Sequence, residues 1–229
     1  MWKKTWWPFE LIVIIGIFGI ILQLILYIGA DNYSCFIIGQ AINFIGYIAL
    51  LILAVFRINQ TNKDHNHSLQ YFFKTKFLFK DIWLVLLVYF IGRVTYNLIM
   101  EIEFVHVFGT RTLSHISILT SFQSWTMISL LALTLPIGVI AEELYFRCYL
   151  FEIQHTRFKN YTWIINGFSW SVYHVFTPTN FLALLPTCLM YSYIYQKRRN
   201  IWITTSIHLI NNIIAFYPTF KFIWQRMAT

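Results

Sequence analysis

Three short patterns in the C-terminal half of the chain carry side chains that can move protons. The first is Ala141-Glu142-Glu143-Leu144-Tyr145-Phe146-Arg147, at the end of a long apolar run. Two adjacent carboxylates beside an apolar segment repel each other and lose hydration, so each needs compensation. Arg147 follows Glu143 by four residues, shares its face on a helix and can pair with it. Glu142 then points about 100° round the helix. The spacing suits one structural carboxylate and one general base, and its blander reading is an ion-paired helix end.

The second pattern is Trp170-Ser171-Val172-Tyr173-His174, which puts an aromatic ring one turn from an imidazole. A single histidine in an apolar segment also serves as a helix–helix hydrogen-bonding group. The third is His208-Leu209-Ile210-Asn211-Asn212. His208 and Asn212 share a helix face and both can donate hydrogen bonds, as stabilising a developing oxyanion requires. Asn211 points elsewhere. Gln23, Asn43, Asn97, Asn166 and Thr204 read as interhelical hydrogen-bonding residues.

On three helices of one bundle these groups suffice for water-activated hydrolysis. Glu142 with His174 would activate the water, and His208 with Asn212 would hold the oxyanion. Glu142, His174 and His208 would equally ligate a divalent metal such as zinc, with one position open for water. The residues leave both routes open, with a metal or with no cofactor. There is no H-E-x-x-H motif, and no Gly-x-Ser-x-Gly nucleophile beside a membrane histidine. Asp31, Asp64 and Asp81 fall at loops or span ends, which disfavours a paired-aspartate mechanism.

The elements that position these residues follow from composition. The chain has 229 residues, of which 58% are hydrophobic, 20% aromatic and 11% charged, and its mean hydropathy is +0.61. Soluble domains carry about 25% charged residues, so a soluble enzyme, a disordered chain and a disulfide scaffold are all excluded. The expectation is an all-α polytopic transmembrane helix bundle of about seven spans, six to eight at ~20 residues each. The apolar runs fall at 9–30, 33–56, 82–100, 123–141 (broken by Pro136), 161–176, 181–195 and 201–224. Arg93 inside the third run requires an interior partner, read as a structural ion pair. Residues 101–121 read as a loop or short surface helix. The first three runs are plain Ile, Leu and Phe, which divides the chain into N-terminal helices with a basic loop (1–115) and a functional core (116–220). Cys35, Cys148 and Cys188 lie apart without C-x-x-C spacing and read as buried free thiols.

The formal charge of +8 is a topology signal. Of 17 Lys and Arg, twelve fall in segments 3–4, 57–80, 157–159 and 197–199, against three (Arg111, Lys221, Arg226) on the other side. Positive charge stays in cytoplasmic loops. The N-terminus is therefore expected inside, in a multi-pass protein of the cell membrane, and no nucleic acid partner is needed to explain the charge. Phe72, Phe73, Phe77 and Phe79 among lysines suit a segment lying on the anionic inner leaflet of the lipid bilayer.

The order Glu142-Glu143-x-x-x-Arg147, Trp170-x-x-x-His174, His208-x-x-x-Asn212 resembles the CAAX-protease and bacteriocin-processing family (CPBP, or abortive-infection family) of intramembrane endopeptidases. The resemblance covers about residues 120–215. It implies Glu142 as water-activating base with His174, and Glu143 with Arg147 as a supporting pair. His208 and Asn212 would be the oxyanion pair, or His208 a ligand in a metalloprotease reading. Trp170 departs from the Phe common in the family. The implied partner is a hydrophobic or membrane-bound peptide or protein substrate. The Ile-, Phe-, Asn- and Lys-rich composition suggests an AT-rich bacterial genome, and bacterial members of the family are linked to peptide maturation, surface-protein display and bacteriocin self-immunity. The alternative is a non-catalytic immunity or signalling-partner protein on the same scaffold, against which stands the presence of Glu142, His174, His208 and Asn212 together. A small transporter is disfavoured because the halves do not repeat.

Overall fold

The computed structural model describes residues 7–8, 10–17, 33–65, 69–101, 121–174 and 178–227, and every regular element among them is helical. In order these are α1 Tyr33–His65, α2 Leu69–Phe73, α3 Phe79–Met100, α4 Ser121–Glu143, a π-helical segment Leu144–Leu150, α5 Phe151–Phe158, a 3-10 turn Lys159–Tyr161, α6 Thr162–Tyr173, α7 Pro178–Arg198 and α8 Ile201–Met227. Of the expected first span only 10–17 is described, and it is helical; nearly all of the expected loop at 101–121 lies outside the described residues. Among the described residues three stretches are long and apolar enough to cross a membrane: Ile38–Thr61, Phe79–Ile99 and Trp125–Tyr173, the last running from α4 through α6. α7 and α8 are as long but more polar. In α8 the dilution comes from His208, Asn211 and Asn212, the residues that give it chemical interest.

The bundle is apolar outside and holds its ionisable groups inside an otherwise apolar core. Ile38, Ile45, Ile52, Phe79, Trp83 and Phe90 are each more than half exposed, while Glu142, Glu143, Arg147, Asn166 and Thr204 are buried. An apolar exterior of this extent suits lipid, and ionisable groups at that depth face the bundle interior. α1 and α8 pack on α4, α3 packs on α7, and α7 packs on α6. The tightest of these approaches is at Gly167, where an added Cβ would stand 2.7 Å from Leu189 Cα and 2.9 Å from the Cys188 carbonyl oxygen. Only a residue without a side chain lets these backbones come so close. Cys148 and Cys188 are buried free thiols, as their separation predicted; the side chain of Cys35 lies outside the described residues.

Four expectations need correction. α4 runs unbroken through Pro136, because neighbouring helices can stabilise a proline-containing membrane helix. Arg93 makes no ion pair among the described residues; its guanidinium lies 5.7 Å from the Tyr96 ring centroid, where an aromatic face supplies the contact to the cation. Asn97 is exposed rather than interhelical. Phe72 is buried in the core, whereas Phe73, which packs on Trp202 at 5.4 Å, stays exposed with Tyr71, Phe77, Leu78 and Phe79 beside the lysines.

The basic segments gather at one end. Buried Asp81 pairs with Arg198, and Asn200 donates to the Lys76 carbonyl at 3.1 Å. Arg199 pairs with Glu152 of α5. Residues 74–81, the α7–α8 turn and α5 are therefore tied together. Glu10 pairs with Arg57 at 2.5 Å and accepts from the hydroxyls of Tyr145 and Tyr149, tying its helix to α1 and the π-helical segment.

Candidate active site

α4 ends inside the bundle. Glu142 and Glu143 are both buried there. Glu143 keeps helical dihedrals (φ −64°, ψ −41°), so the chain passes without a cap into the π-helical segment, whose seven residues are all buried. A π turn widens the helix and is found mostly as a short insertion, frequently at functional sites.

The two carboxylates have different surroundings. Glu143 Oε2 lies 3.6 Å from Arg147 Nε, close enough for an ion pair and too far for a hydrogen bond. Its Oε1 lies 3.0 Å from His208 Nδ1, and the Thr204 hydroxyl is within hydrogen-bond reach. Arg147 is held from the far side as well: Nη1 donates to Asn166 Oδ1 at 2.6 Å, and the guanidinium stacks 4.4 Å from the Trp170 ring centroid. Asn166 uses its amide fully, donating to the Phe146 carbonyl at 2.8 Å and Gln154 Oε1 at 3.0 Å, and accepting from Ser192 at 3.1 Å. This is the interhelical bonding expected of it, and it fixes the guanidinium against α6 and α7.

Glu142 accepts the Trp170 indole N–H at 2.9 Å and a hydrogen bond from Tyr47. Its Oε2 lies 3.9 Å from His208 Nε2. One imidazole thus spans both carboxylates. Gly138 makes room for the Tyr47 ring, since a Cβ there would sit 3.1 Å from ring carbons.

His174 stands at the C-terminal cap of α6, with Nδ1 3.0 Å from the Trp170 carbonyl oxygen. A carbonyl only accepts, so Nδ1 carries the proton and Nε2 the lone pair. The expected Glu142–His174 partnership is bridged by the Trp170 indole, which bonds Glu142 and meets the His174 ring edge-on at 6.0 Å and the His208 ring at 5.0 Å. Asn212 faces a small, partly open cavity of about 50 Å³ between α1, α4 and α8, whose wall includes Glu142. Its amide has no hydrogen-bond partner among the described residues.

A metal fits this arrangement poorly. Glu142 and His208 approach each other, but the third expected ligand, His174, is not gathered with them into a ligand set. No three His, Cys, Asp or Glu side chains form a ligand set among the described residues. Sequence patterns missed Trp170 as a hydrogen-bond donor, and Tyr47 and Thr204 as partners of the carboxylates. For Trp170 the signal was present, because a buried indole N–H requires an acceptor. Tyr47 has no local signal.

Residues 123–214 match the family model described as Rce1-like, type II CAAX prenyl endopeptidase Rce1-like. The match runs from α4 into α8 and includes every residue of the cluster except Tyr47. No curated protein and no solved structure matches the chain.

Proposed function

We propose, from the match of residues 123–214 to the Rce1-like family model, that this chain is an intramembrane endopeptidase hydrolysing a peptide bond in a hydrophobic or membrane-associated peptide or protein. The observation that carries the proposal is the buried chain Glu142–His208–Glu143 beside a cavity. Glu142 takes a proton from water as the water oxygen attacks the scissile carbonyl carbon. Trp170 and Tyr47 orient the Glu142 carboxylate. With Nδ1–H committed to Glu143, His208 donates to the oxyanion through a protonated Nε2, and Glu143 is the counter-charge. With His208 protonated, Glu142, Glu143, Arg147 and His208 sum to zero charge, as a buried set requires. Asn212 supplies the second donor. The proton on Glu142 then passes to the leaving amine. His174 supports Glu142 through Trp170.

We read the basic end formed by residues 74–81, α5 and the α7–α8 turn as the cytoplasmic end, with the N-terminus inside, in a multi-pass protein of a bacterial plasma membrane. Residues 116–220 are the catalytic core. The biological role we favour is peptide maturation or bacteriocin self-immunity. The test compares membrane peptides released in cells carrying the wild-type chain with those in cells carrying His208→Ala. Peptides that vanish in the variant identify the substrate, and identical peptide sets refute the assignment.

A further inference from the structure

The cavity at Glu142 has a wall that the protease-like segment does not supply. It is α1, which presents Gln40, Asn43 and Tyr47 to the cavity at positions i, i+3 and i+7. The opposite side of the same helix is Ile38, Ile42, Ile45 and Ile52, all exposed. α1 therefore has a lipid face and a narrow polar stripe. Tyr47 is accounted for by Glu142, but Gln40 and Asn43 have no hydrogen-bond partner among the described residues. Both side chains are half-buried at the cavity, so their carboxamides are open to a polar group that enters it.

An extended peptide brings such groups. Its backbone N–H and C=O groups lose water on entering the bundle and must be paired there. A carboxamide offers one acceptor and two donors, so it can pair with both groups of one residue, as the edge of a sheet does. Gln40 to Tyr47 spans about 10 Å along the helix, the length of about three extended residues. Leu131, Leu135 and Phe216 line the remaining wall and suit apolar side chains. We infer that Gln40 and Asn43 form a main-chain binding subsite that holds the substrate extended within three residues of the scissile bond. The subsite reads backbone rather than sequence, and it lies wholly outside the matched segment 123–214. The inference rests on the hydrolytic reading for its substrate, a peptide, though not for the existence of the subsite.

The test uses the full chain in detergent micelles with a quenched fluorogenic apolar decapeptide. Asn43→Leu and Gln40→Leu should each raise KM about five- to tenfold, the worth of one hydrogen bond, with little change in kcat, and Asn43→Gln should restore most of the loss. N-methylating the amide that Asn43 holds should cost the wild type a similar factor and cost Asn43→Leu nothing further, a coupling that a purely structural residue would not show. In a second arm, a benzophenone amino acid replaces residue 43 or residue 45 in the Glu142→Gln protein. The peptide should crosslink at 43 and not at lipid-facing 45. Unchanged KM in both leucine variants together with equal crosslinking at 43 and 45 overturns the subsite. Crosslinking confined to 43, with no cleavage by the wild type, upholds the subsite and refutes the hydrolytic reading instead.

Discussion

His208 Nδ1 lies 3.0 Å from Glu143 Oε1, although the two residues are 65 positions apart on different helices. This contact makes two consecutive glutamates unequal. Glu143 is enclosed by Arg147, His208 and Thr204 and cannot reach a substrate without giving up a partner. Glu142 is held by neutral donors and lines the cavity. A carboxylate fixed by hydrogen-bond donors but left open on one side is arranged to accept a proton.

Trp170 is the first place to test that difference. Trp170→Phe keeps an aromatic ring against His208 and Arg147 but removes the N–H that Glu142 accepts. A hydrogen bond to a charged group is worth about 1.5–3 kcal/mol, so kcat should fall about ten- to a hundredfold while Tm moves by a few degrees. Steady-state kinetics and thermal unfolding of the purified variant measure both. Wild-type kcat would show that the indole N–H does not orient the base.

Asn212 and Asn211 are neighbours in sequence with opposite expectations. Asn212→Leu removes an oxyanion donor and should lower kcat about 10²–10³-fold with KM nearly unchanged. Asn211→Leu should behave as wild type, because that side chain lies off the cavity wall. Equal losses in the two variants would place the effect in packing of α8 rather than in the reaction.

Gly167→Ala tests the close approach of α6 and α7. The added methyl would meet the Leu189 and Cys188 backbone at 2.7 and 2.9 Å, which a side-chain rotation cannot relieve. Overpacking of this kind costs about 1–3 kcal/mol. Tm should fall, and activity should fall with it, since Trp170 follows one turn later on α6. A variant with wild-type Tm would mean that the helices part more easily than their packing indicates.

Cleavage should survive a strong chelator. No three His, Cys, Asp or Glu side chains among the described residues are arranged to hold a metal ion, and the proposed steps use only protein groups and water. The check is the rate before and after chelation, followed by zinc addition. Loss that zinc reverses would require a ligand set different from this geometry.

The fold was legible in sequence where composition and spacing act locally. Scarce charge and long apolar runs gave helices, and the Glu143–Arg147 interval gave their pairing. The link from His208 to the glutamates is long-range, and periodicity alone cannot register one helix against another. The unbroken α4 at Pro136 and the π-helical continuation after Glu143 also depend on neighbouring helices. The hydrogen bond from His174 to the Trp170 carbonyl, four residues back on its own helix, follows from the local turn at the end of α6, which residue spacing alone does not define. Asn43, expected to bond another helix, has no hydrogen-bond partner among the described residues and instead lines the cavity with Gln40, which no sequence pattern marked.

The central claim is that Glu142 is the base. Its most direct test is the cleavage rate of purified Glu142→Gln beside wild type, on a substrate released in a His208-dependent manner. Glutamine is nearly the same size and its carbonyl oxygen still accepts the Trp170 N–H, so Tm should hold within a few degrees. General-base catalysis contributes about 10²–10⁴-fold, and the rate should fall by that factor. A folded Glu142→Gln protein cleaving within about threefold of wild type, well inside the loss expected for a missing base, would contradict the mechanism.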